Sequence, residues 1–114
     1  MREPKKINVL GTEYTIFFDV LEESMPDGAD GCMDQSVKNI RIALMKPDKN
    51  SLFDLEEYRK KVLRHEIIHA FFYESGLWNN SGSSESFGTD ETITDWFAIQ
   101  FPKILKAFKE ADAL

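Results

Sequence analysis

Thiols are almost missing from this chain: Cys32 is the only one among 114 residues. A lone cysteine forms no internal disulfide and builds no cysteine-based zinc cage, so Cys32 reads as a small core or strand residue. Long apolar runs are missing too. No stretch approaches the roughly 18–20 residues of a membrane-spanning helix, and the charged first residues lack the apolar segment of a signal peptide. Basic charge is in deficit, with 14 Lys and Arg against 20 Asp and Glu and a formal charge of −6. That balance opposes a broad electrostatic grip on nucleic-acid phosphates. The local cluster Arg59, Lys60, Lys61 and Arg64 reads as a solvated helix face. The expectation is a soluble cytoplasmic protein with neither a membrane nor a nucleic-acid partner.

What the chain does have is a core. Apolar residues make up 42% and Phe occurs nine times, enough for one packed domain over residues 1–114. Two β-rich runs, 6–10 and 13–20, flank Gly11-Thr12 and alternate Ile7, Val9, Tyr14, Ile16 and Phe18 with polar residues, which predicts a hairpin. Residues 22–31 are turn formers and acids. Residues 31–34 and 39–44 then read as a second hairpin, with Ile40, Ile42 and Leu44 on one side. Residues 47–51 form a further connection.

The second half reads as helical. Asp54 and Glu57 resemble a capping box, and the run to Ser75 ends before Gly76. Leu55, Tyr58, Val62, His65, Glu66, His69 and Tyr73 share one stripe of this helix. Past Arg64 most sides turn apolar, as if the helix ran into the middle of the domain. Residues 76–90 read as a loop in which Trp78 and Phe87 stand as a possible lid. Thr89 or Asp90 caps a second helix, which Pro102 should end or kink. The fold class is α+β, a small and mostly antiparallel sheet packed on a central helix and a second helix.

Histidine is scarce, and its placement is informative. The only two histidines lie in His65-Glu66-Ile67-Ile68-His69, the pattern H-E-x-x-H. On a helix, residues four apart lie one turn apart on one face, so both imidazoles can reach one metal ion. Glu66 stands beside them, where it can take a proton from a metal-bound water. A catalytic zinc wants three protein ligands. With no third His and no Cys pair, the third is a carboxylate, and Glu91 in the first turn of the second helix is the leading candidate. Asp90 and then Asp95 are the fallbacks. Asp95, one turn past Glu91, is placed to accept the Nδ1–H of a zinc-bound histidine and fix its tautomer.

These two segments, His65-Glu66-Ile67-Ile68-His69 and Glu91-Thr92-Ile93-Thr94-Asp95-Trp96-Phe97-Ala98, resemble those of the ImmA/IrrE-like metallopeptidases. The order of sheet, H-E-x-x-H helix, loop and Glu-bearing helix is also similar to the minimal zincin core of SprT-like proteins. The resemblance spans residues 31–101 and extends to small H-E-x-x-H proteins of phages and prophages. The chain has Thr94 and Asp95 where the family's second motif more often has Ala and Asn. The resemblance implies one zinc ion on His65, His69 and Glu91, Glu66 as catalytic base, and a protein or peptide substrate.

The expected activity is therefore zinc-dependent peptide hydrolysis, with the strand 39–44 offering an edge to an extended peptide. Tyr58 and Tyr73 are the candidate oxyanion donors, although both read first as packed core aromatics. The alternative is a zinc-stabilised binding or adaptor module that cleaves nothing.

Overall fold

The computed structural model describes residues 2–49, 53–79 and 90–114. Phe87, Thr89 and residues 80–89 of the expected loop lie outside the described residues, as do residues 50–52. Strands β1 (Lys5–Val9) and β2 (Thr12–Val20) pair antiparallel, with Ile7 opposite Tyr14. Leu10 and Gly11 join them at φ 52° and 95°. A two-residue turn of type I′ has positive φ at both central positions, and glycine adopts it without steric cost. Strands β3 (Gly31–Asp34) and β4 (Asn39–Ala43) form the second antiparallel pair.

The two hairpins meet through a parallel β2–β4 pairing, giving a mixed sheet in the order β1-β2-β4-β3. Residues 21–30 carry the chain past the width of one strand. It returns as β3 at the edge, and β4 fills the gap. This corrects one expectation. The strand 39–44 is interior rather than an edge, because the fully buried Ile40 and Ile42 require cover on both flanks. The edge on that side belongs to β3.

Alternation decides which face is covered. Tyr14, Ile16 and Phe18 of β2 join Ile40 and Ile42 on one buried face, against Val62 and Ala70 of helix α1 (Leu55–Glu74). Burying each such large aliphatic or aromatic side chain contributes about 1.5–3 kcal/mol. Helix α1 begins where Asp54 accepts a hydrogen bond from Glu57 N–H, and it ends at Ser75 with Gly76 at φ 87°. Helix α2 (Glu91–Glu110) is capped by Asp90, whose side chain accepts from Ile93 N–H. It packs on α1.

Pro102 does not end α2; the helix runs through it. Proline has no N–H for the carbonyl four residues back, which is Ala98. Arg64 Nε donates to that carbonyl instead, at 2.5 Å. The basic cluster is accordingly not one solvated face: Arg64 supports α2, Lys61 Nζ donates to Asp95, and Arg59 pairs with Glu56 over the Phe18 ring. The apolar far side of α1 is also less covered than expected. An open groove lies between the helices along Ile67, Ile68, Phe71, Phe72, Phe97 and Phe101, with Phe71 39% exposed. Beyond their meeting at Ala98, the described residues supply no further layer there. Among those residues, no helix is long and apolar enough to cross a membrane.

Candidate metal centre

Helical spacing puts His65 and His69 on one face of α1, and the cap at Asp90 aims the first turn of α2 at them. The two Nε2 atoms lie 3.1 Å apart. Glu91 reaches both, with Oε2 3.1 Å from His65 Nε2 and Oε1 2.7 Å from His69 Nε2. One ligand atom from each residue falls within 4.8 Å of the others, making a possible metal-binding cluster of His65, His69 and Glu91. Asp90, the fallback ligand, is committed to its cap.

The donor chemistry fits a cation. His65 Nδ1 lies 3.1 Å from Asp95 Oδ1. An ionised carboxylate only accepts, so Nδ1 carries a proton, and in the neutral imidazole that leaves Nε2 as the lone-pair nitrogen. That lone pair faces a second imidazole and a carboxylate, an arrangement a positive ion satisfies. The two imidazole nitrogens, 3.1 Å apart, lie near the roughly 3.4 Å that tetrahedral zinc bonds impose, and Glu91 meets each of them through a different oxygen. The histidine side chains are only 13% and 9% exposed, whereas Glu91 is 73% exposed, so the cluster is rigid on the α1 side and open on the α2 side.

Compared with family models, curated proteins and solved structures, the chain shows no match. Its chemistry is read from these side chains alone.

Glu66 is buried beside the cluster, and a cleft of about 330 Å³ opens over it, bounded by β3, residues 26–29, His69, Trp78 and Glu91. Burial pushes the Glu66 carboxyl up to about 7; a protonated His65 opposes this and the charge of Glu91 adds to it. Burial likewise lowers His69, which Glu91 opposes. Partial burial alone would raise Asp95, but hydrogen bonds from Lys61 and His65 outweigh it and hold that carboxyl below its usual value.

Two supports escaped sequence reasoning. Gly31 of β3 admits the Glu66 side chain: a Cβ there would meet Val62 Cγ1 at 2.7 Å and Glu66 Oε2 at 3.2 Å. No local signal marks that approach, because it depends on where a strand crosses a helix. Lys61 was legible in principle. It lies one turn before His65, so any residue bonded to the outer nitrogen of His65 falls within its reach.

The two tyrosines stand apart from the cleft. Tyr58 donates to Asp30, and Tyr73 packs against Trp78 and Lys38. Trp78 lines the cleft with its ring centroid 6.0 Å from that of His69.

Proposed function

We propose that the chain is a zinc-dependent metallopeptidase that hydrolyses peptide bonds of a protein substrate. The observation that carries this reading is the convergence of His65, His69 and Glu91 beside a cleft lined by His69, Glu91 and the buried Glu66. Two imidazoles and a carboxylate suit zinc, and the cluster has room for one ion. Bound there, zinc supplies Lewis-acid polarisation of a carbonyl and lowers the pKa of a coordinated water.

The rest is the work of the chain. Asp95 holds the His65 tautomer that turns Nε2 into the site. Glu66 accepts a proton from the attacking water and returns it to the leaving amine. Gly31 gives Glu66 the space to stand against β3. An extended peptide pairs with the edge of β3, beside which the cleft runs. The exposed side of Glu91 is the solvent entrance. The two motifs that resemble the ImmA/IrrE-like metallopeptidases support the same assignment. A zinc-stabilised binding module without activity has no use for a carboxylate buried beside its ligands, and it would close the site with a fourth protein ligand.

Glu66→Gln tests the proposal. Purified in zinc, the variant should hold the wild-type metal content while losing cleavage of a denatured-protein or mixed-peptide substrate by at least a hundredfold, in the range general-base catalysis contributes. Cleavage at the wild-type rate would remove Glu66 from its role.

A further inference from the structure

We infer that the cleft selects a substrate whose side chain next to the scissile bond is apolar, of Leu, Met or Phe size, and turns away acidic ones. The inference rests on the peptidase reading and names the substrate class of that site. At about 330 Å³ the cleft lies at the small end of ligand pockets, with room for one large side chain and its flanking backbone.

Its walls are apolar. Met33 and Gly31 lie opposite Ile40 and Ile42 in the β3–β4 register, which directs them to the α1 side of the sheet; Cys32 between them, paired with Arg41, also borders the cleft. Pro26 and Ala29 form the rim nearest β3, and Trp78 forms the opposing wall. Trp78 is fixed in place. Its backbone N–H donates to the Phe72 carbonyl, and its ring meets Tyr73 and His69 edge-on at 5.8 and 6.0 Å. An aromatic wall held at two points keeps its shape, so burial against it contributes area at little entropic cost.

Charge sharpens the selection. Among the described residues no Lys or Arg lines the cleft, and the carboxylates that do are Glu66 and Glu91. An Asp or Glu side chain entering there would lose hydration beside two carboxyl groups, with the metal's charge already met by Glu91 and no lining Lys or Arg to pair with. A Lys or Arg side chain would lose hydration against the apolar walls, close to the metal's positive charge.

Binding to the zinc-loaded full chain tests this without relying on turnover. The probes are acetohydroxamic acid, which offers only a metal-binding group, and succinyl hydroxamates bearing an isobutyl, benzyl, carboxymethyl or aminobutyl side chain. Titration calorimetry should show the isobutyl and benzyl probes binding at least tenfold tighter than acetohydroxamic acid, and the two charged probes no tighter than it. Trp78→Ala and Met33→Ala should each cut the isobutyl advantage to under threefold while zinc content stays at the wild-type level. A charged probe binding as tightly as the isobutyl one would overturn the inference, as would an advantage unchanged in both variants. Failure of every hydroxamate, acetohydroxamic acid included, to bind the zinc-loaded chain would instead remove the open metal position, and the peptidase reading with it.

Discussion

Glu66 and Asp95 are two carboxylates serving one histidine pair, and their surroundings push them in opposite directions. Burial raises Glu66 to about 7, in the range where a group both takes and gives up a proton near neutrality. Hydrogen bonds from Lys61 and His65 overcome the burial of Asp95 and keep it ionised. An ionised Asp95 is a pure acceptor, and that is what fixes the His65 tautomer. Asp95→Asn should therefore weaken zinc binding by about 10–100-fold, the usual effect of losing a partner behind a metal ligand. Competition with a chromophoric chelator measures this, and an unchanged zinc affinity would leave Asp95 as a surface acid paired with Lys61. At this scale the sequence was most readable. The four-residue spacings of His65 with His69 and of Glu91 with Asp95 are local, and helical geometry alone translates them into shared faces. Gly31 was unreadable, because its role depends on the distance between a strand and a helix far apart in the chain.

Helix α1 is held at both ends, and the C-terminal hold is the firmer. Glu74, in its last turn, is unfavourably placed with respect to the helix dipole. Lys38 from the β3–β4 turn, with Tyr14 and Thr12 from β2, surrounds it: Lys38 Nζ donates at 2.8 Å, Tyr14 OH at 2.7 Å and Thr12 Oγ1 at 3.0 Å. The hydrogen bonds from Lys38 and then Tyr14 lower the Glu74 carboxyl below its ordinary 4.5. The folded state thus favours the ionised form. The stability gained is present above the unfolded value and is lost as pH falls through the lower folded value. Glu74→Gln should cost about 1–3 kcal/mol in urea unfolding at pH 7. The gap from wild type should narrow steadily below pH 4.5; a gap that stays constant into acid would contradict the network.

The elements themselves were largely legible, from period-2 alternation in the strands, from Asp54 and Asp90 as caps, and from Gly76 as a stop. Two relations between elements were not. The parallel β2–β4 pairing joins strands on either side of a ten-residue connection and β3, and no local pattern encodes it. The passage of α2 through Pro102 depends on Arg64, a residue of the other helix, taking the carbonyl that proline leaves free.

Taken whole, the molecule stacks a four-stranded sheet, then α1, then α2, with the cleft opening beside β3 where the start of α2 meets α1. The α+β class followed from composition and periodicity. Which strand would form the wall of the site did not, since only the completed sheet makes β3 the edge and buries β4. The same arrangement explains how so short a chain presents a rigid candidate metal-binding face: both histidines and Glu66 lie on α1, the helix packed on both the sheet and α2. Metal content is the decisive property of the cluster. Elemental analysis of protein purified in zinc and dialysed against buffer should find one zinc per wild-type chain, and almost none in His65→Ala, His69→Ala or Glu91→Ala proteins that keep the wild-type circular dichroism. A wild-type chain without zinc, or a folded His69→Ala chain that retains its full equivalent, would contradict it.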